Sequence, residues 1–193
     1  MTSNTAVLDF SDVRDKLQDR TIALVGLMGS GKTTVGRRLA SLLGLPFSDS
    51  DQEIEDVSRM SIPELFETYG EPEFRALEAR VVSRLVQAGP RVLGTGGGAY
   101  INAETRAHLK EAAVTVWLKA DLDTLMARVM KRSNRPLLKT GNPRATMAKL
   151  IDERYPIYGG ADIIIESRDV KREVMAAEAA EAIRNYLAKG DKA

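Results

Sequence analysis

An apolar run from Ile22 to Val25 enters the stretch Gly26-Leu27-Met28-Gly29-Ser30-Gly31-Lys32-Thr33, and helical spacing follows from Thr33 to Leu43. A strand that turns through closely spaced glycines into the first turn of a helix has few folds open to it. Glycines accept backbone conformations and close approaches that a Cβ would block, so successive N–H groups and the helix N-terminus converge on one spot. That spot suits phosphate oxygens. Lys32 would reach the outer phosphates of a nucleoside triphosphate, and the Thr33 hydroxyl would ligate Mg²⁺. Gly29, Ser30, Gly31, Lys32, Thr33 and Thr34 are therefore the expected nucleotide contacts. A glycine turn with an incidental lysine is the alternative, and the strand and helix on either side make it remote.

The rest of the chain continues the alternation. Strand-type runs recur at Arg91 to Leu93, Val114 to Leu118 and Ile163 to Ile165, with helical spacing over Pro72 to Gln87, Asp121 to Lys131, Arg144 to Tyr155 and Val170 to Leu187. This predicts an α/β domain around a parallel sheet. With 193 residues and no dividing linker, one domain over residues 20–190 is expected, behind an extension of residues 1–19 whose role the sequence does not give. Asp9, Asp12, Asp15 and Asp19 set that extension apart from a secretory signal or transit peptide. The formal charge of +1 and the absence of any apolar run of about 18 residues point away from nucleic acid and membrane partners. No cysteine is present, which removes thiolate chemistry and suits a reducing compartment, so a cytoplasmic protein is expected. A monomer is expected as well.

Which acceptor the phosphate goes to depends on residues farther along. Asp49 and Asp51 stand two apart where a second strand should end. On an extended segment they would face one side, Asp49 toward Mg²⁺ and Asp51 toward a substrate hydroxyl. Their alternative is a pair of caps for a helix starting near Gln52. Arg75 would pair with a substrate carboxylate or, equally, with Glu71 one helical turn back. Gly96-Gly97-Gly98 follows a strand and would expose backbone N–H groups to a ligand. Between Thr124 and Ile151 there is no acidic residue, while Arg128, Lys131, Arg132, Arg135, Lys139, Arg144 and Lys149 are basic. Residues 133–143, with two prolines and a glycine, read as a basic flap suited to a phosphate-rich ligand.

Taken in order, the motifs resemble shikimate kinases: GLMGSGKT, Asp49-Ser50-Asp51, GEPEFR ending at Arg75, the triple glycine, Arg135-Pro136-Leu137-Leu138 and Glu153-Arg154-Tyr155-Pro156-x-Tyr158. The resemblance runs from Thr21 to about Leu187. It implies a P-loop fold of the nucleoside-monophosphate-kinase type, a three-layer sandwich on a five-stranded parallel sheet, with a mobile lid at about 133–143. It also implies transfer of the γ-phosphoryl group of MgATP to the 3-hydroxyl of shikimate, within aromatic amino-acid biosynthesis. By resemblance Asp51, Arg75, Gly97 and Arg154 would bind shikimate, Arg75 and Arg154 gripping its carboxylate. Lys32, Asp51 and Arg135 would be catalytic, Thr33 and Asp49 would hold the metal, and Arg128 and Arg135 would contact the nucleotide. An adenine contact is expected within Ser167 to Lys171. A gluconate-type kinase and a nucleotide-binding module without transfer activity are the competing readings. The lone His108 and the lone Trp117 are read as a surface and a packing residue.

Overall fold

The computed structural model describes residues 9–131 and 141–190. Five strands, β1 (Thr21–Val25), β2 (Phe47–Asp49), β3 (Val92–Gly94), β4 (Ala113–Lys119) and β5 (Ile163–Glu166), pair in the order β2-β3-β1-β4-β5, all parallel. Each parallel step needs a crossover, and the helices between the strands supply it. The expected strands are present with ends shifted by one residue. Because β1 lies between β3 and β4, the chain changes direction across the sheet there, and a crevice opens beyond the carboxyl end of β1.

Two apolar clusters cover the two faces. On one, α2 (Lys32–Leu43) and α8 (Arg172–Gly190) pack Val35, Leu39, Ala179 and Ile183 against Ile22, Leu24 and Val116. The helix α1 (Ser11–Leu17), within the described part of the extension, joins this layer: Phe10, Val13 and Leu17 are buried there. Arg184 of α8 lies 4.4 Å over the Phe10 ring and pairs with Asp12 at 3.0 Å. On the other face, α4 (Ile62–Gln87), α5 (Ala103–Ala112), α6 (Leu122–Met130) and α7 (Pro143–Tyr158) cover Ala23, Val25, Leu93 and Trp117. Trp117 is 4% exposed, the packing role its strand position indicates.

Three boundaries differ from the sequence expectation, each for a local reason. The α4 segment begins ten residues before Pro72, with Ser61 and Glu64 forming a reciprocal capping box, and breaks at Gly70, where φ is 79°. Pro72 then starts the second half, the position where a missing N–H costs least. The α7 helix continues past Pro156 to Tyr158, since the Gly159 N–H still reaches the Tyr155 carbonyl at 2.9 Å. Between β2 and α4, the helix α3 (Ser50–Ser58) starts at Ser50 and not near Gln52.

Candidate active site

At the carboxyl end of the sheet the strand ends surround a cleft of about 740 Å³. Its floor is the glycine loop after β1. Gly29 and Gly31 have φ of 82° and 98°, the left-handed region that an L side chain rarely adopts, so the loop needs glycine at both. Ser30 is 1% exposed, and its Oγ has no partner among the described residues. Gly29, Gly31, Lys32, Thr33 and Thr34 line the cleft. Lys32 Nζ donates to the carbonyls of Gly26 at 2.8 Å and Leu27 at 3.0 Å, lying along the loop it would share with phosphates.

Thr33 Oγ1 donates to Asp49 Oδ2 at 2.9 Å, so the two metal candidates are already neighbours on the cleft wall. A hydroxyl and a carboxylate are hard oxygen ligands, the kind Mg²⁺ takes beside phosphates and water. No cluster of three or more acidic or imidazole groups that could hold a metal occurs among the described residues. Asp49 and Asp51 do not share one face of an extended segment. The strand ends at Asp49, whose other oxygen accepts the Asp51 N–H at 3.1 Å and so caps α3, while Asp51 sits in the first turn. The capping alternative thus holds for Asp49, the same side chain that the sequence turns toward Mg²⁺. Asp51 faces the cleft, with Oδ1 only 2.5 Å from where a Cβ on Gly96 would stand.

The glycine turn after β3 meets the loop directly. A Cβ on Gly97 would stand 3.5 Å from the Met28 nitrogen and 3.8 Å from the Gly26 oxygen. Ser50 Oγ fixes the start of the turn by accepting the Gly96 N–H at 2.8 Å. Two arginines then approach the turn from different helices. Arg75 of α4 packs so closely on Gly98 that a Cβ there would lie 2.5 Å from its terminal nitrogen. Arg154 of α7 donates to the Gly97 carbonyl at 3.0 Å. Arg75 does pair with Glu71, at 3.3 Å, but its shorter bond is to Glu78 at 2.7 Å.

Glu78 was not singled out in the sequence, although it falls on the apolar stripe of Phe74, Val81 and Leu85, where a carboxylate is out of place. It is 2% exposed. Burial pushes its carboxyl above the usual range, against the pull of Arg75 and Arg154, whose charges both reach it. Burial opposes the Arg75 charge too, but the bonds and charges of Glu78 and then Glu71 outweigh it and raise its pKa. The pair therefore holds a guanidinium beside the glycine turn with its charge secured.

Opposite, Arg128 bolts the loop to the segment after β5. It donates to the carbonyls of Gly29 at 3.2 Å and Arg168 at 2.7 Å and to Ser167 Oγ at 2.8 Å, while Ser167 donates to the Ser30 carbonyl at 2.8 Å. Residues Ser167 to Lys171, the stretch in which an adenine contact is expected, line this end of the cleft. Ser167 is only 4% exposed, and its bond to the loop had no sequence signal beyond its place at a strand end. Arg135 and most of the flap at 133–143 lie outside the described residues.

The family model that matches residues 28–184 is that of shikimate kinase. The chain belongs to the shikimate kinase family. A shikimate kinase of Rhizobium leguminosarum is 61% identical over 170 residues, covering 88% of this chain and 87% of its own length. One from Brucella canis is 55% identical over 177 residues, covering 92% and 88%. Among solved structures, shikimate kinase from Acinetobacter baumannii in complex with shikimate superposes with a TM-score of 0.84 at 38% identity, covering 90% of this chain and 97% of that one. This family's fold is the one described above, a parallel sheet with the glycine loop at its switch point. No described helix is long and apolar enough to cross a membrane.

Proposed function

We propose that this shikimate kinase transfers the γ-phosphoryl group of MgATP to the 3-hydroxyl of shikimate, with the donor on the glycine loop and the acceptor between Asp51 and the Gly96-Gly97-Gly98 turn. The observation that carries the reading is the approach of Arg75 and Arg154, from separate helices, to one turn in contact with the loop. Two guanidiniums so placed suit a small acid, and the contact between the turn and the loop supports a reading in which that acid's ring lies within reach of the outer phosphate.

Transfer needs the attacking hydroxyl in line with the bond that breaks, and charge neutralised on the moving group. The loop N–H groups and Lys32 hold the phosphates, and Arg128 keeps the loop fixed to the nucleotide end of the cleft. Thr33 and Asp49 would hold Mg²⁺, which when bound neutralises charge on the phosphate oxygens. Asp51 accepts the proton of the 3-hydroxyl as its oxygen bonds to phosphorus and ADP leaves. Arg135 is assigned to the transferring phosphate on its motif alone.

The test is a coupled assay of ADP release with shikimate, gluconate and a nucleoside monophosphate as acceptors. Turnover with shikimate is expected. Turnover with gluconate and none with shikimate would give the site to a different acid, and ATP binding without turnover on any acceptor would make the chain a binding module.

A further inference from the structure

Tyr158 ends α7 and stands four residues after Arg154, on the same face of the helix. Its ring is 1% exposed and enclosed by aromatic rings, with centroids of Trp117, Tyr100 and Tyr155 at 5.8, 6.1 and 6.4 Å. The hydroxyl leaves this apolar cluster and donates to the Gly97 carbonyl, the same oxygen that receives Arg154 at 3.0 Å. A carbonyl oxygen has two lone pairs, so both donors fit. A trans peptide points its N–H opposite its C=O, so whatever fixes the Gly97 oxygen also aims the Gly98 N–H.

Arg154 has two claims on it. Toward the Gly97 carbonyl it is structural; toward a substrate carboxylate it is a ligand. A half-buried carbonyl stripped of its only donor carries a desolvation cost. With the tyrosine hydroxyl in place, that carbonyl stays satisfied whichever way the guanidinium turns.

We propose that Tyr158 is a positioning residue for the acceptor, its buried hydroxyl holding the Gly97 carbonyl so that Arg154 is released to the shikimate carboxylate. The inference rests on the roles given above to Gly97 and Arg154. Burial, against a smaller opposing effect of Arg154, pushes the Tyr158 pKa up to about 12, so the group remains a donor at neutral pH.

Three variants test it: Tyr158→Phe, Arg154→Met, and Tyr155→Phe as the control, since the Tyr155 hydroxyl also serves a carbonyl, that of Ala120, from the same cluster. Each is assayed for the KM of shikimate, the KM of ATP and kcat, with thermal melting alongside. Tyr158→Phe should raise the shikimate KM about 5- to 20-fold, the effect of one unmet buried polar group, with the ATP KM and kcat within about twofold. Tyr155→Phe should lower the melting temperature and leave both KM values in place. A purely structural role would make the two tyrosine variants alike. An unchanged shikimate KM in Tyr158→Phe, with a raised one in Arg154→Met, overturns this inference alone. An unchanged KM in Arg154→Met overturns the acceptor-site reading as well. Should Tyr158→Phe not fold, the protein labelled with 3-fluorotyrosine gives the same answer. The Tyr158 fluorine resonance is expected to shift with shikimate and not with ADP, and a resonance indifferent to shikimate sinks the proposal.

Discussion

Gly98→Ala separates the acceptor site from the stability of the fold. Gly98 has φ of –106° and ψ of –13°, an ordinary conformation for alanine, so the backbone carries no strain. The new methyl would stand 2.5 Å from a terminal nitrogen of Arg75 and 2.7 Å from its central carbon. Non-bonded heavy atoms settle at about 3.5–4.0 Å, so the guanidinium must withdraw by about 1 Å. It is the far end of a flexible side chain and can do so. Glu78, whose burial already favours the protonated form, takes up a proton as its partner recedes, which limits the loss of stability to a few degrees of melting temperature. The bond between the Arg75 guanidinium and the shikimate carboxylate has no such relief. A hydrogen bond to a charged group contributes about 1.5–3 kcal/mol. At about 1.4 kcal/mol per tenfold, the shikimate KM should rise about 10- to 150-fold. Coupled ADP release at saturating ATP measures it, with the ATP KM expected within about twofold of the parent value. A change in shikimate KM below threefold, or an equal rise for ATP, would refute the placement of Arg75 in the acceptor site.

Asp49→Asn keeps one oxygen to accept the Asp51 N–H, and its amide nitrogen can donate to the Thr33 hydroxyl, but the charge is removed, so the Mg²⁺ concentration for half-maximal rate should rise at least about tenfold, with shikimate KM nearly unchanged. Equal Mg²⁺ curves would exclude Asp49 from the metal site. Leu17→Ala opens a cavity in the core beneath α1, where Leu17 is 0% exposed, and should cost about 2–5 kcal/mol in urea unfolding without shifting either KM. A cost under about 0.5 kcal/mol would mean that α1 is not docked as described. The Tyr158 hydroxyl titrates near 10.0 in the open and is pushed by burial to about 12 in the fold. A raised pKa of this kind supports the native state below pH 10 and fails as pH climbs through 12, about 3 kcal/mol over that window. Urea midpoints should fall from pH 9.5 to 11.5, and less steeply in Tyr158→Phe; identical slopes would contradict the burial of that hydroxyl.

The glycine loop was legible because it is a local object: its glycines, lysine and threonine are contiguous, and sequence spacing is their geometry. Asp49 and Asp51 were legible as neighbours on the cleft wall but not in the shape of the chain that carries them. The cap that Asp49 places on α3 bends the chain two residues earlier than an extended reading allows. The break at Gly70 splits α4, and the half before it lies outside the helix expected from Pro72 to Gln87, although Ser61 and Glu64 carry the capping-box pattern. Contacts between distant segments had no local signal. Glu78 is visible as a carboxylate on an apolar stripe, yet only the packing of α4 against the glycine turn gives it Arg75 to hold. Tyr158 follows Arg154 by one helical turn, but its carbonyl lies 61 residues away. The burial of Phe10 and Val13 likewise depends on α8, at the opposite end of the chain.

The most direct test of the acceptor site is a crystal structure with ADP, Mg²⁺ and shikimate bound together. The shikimate carboxylate is expected between Arg75 and Arg154, with its 3-hydroxyl on Asp51 and the Tyr158 hydroxyl still on the Gly97 carbonyl. A carboxylate bound instead at Lys131 or Lys171, at the end of the cleft beside Arg128, with Arg75 and Arg154 making no contact to it, would contradict the assignment.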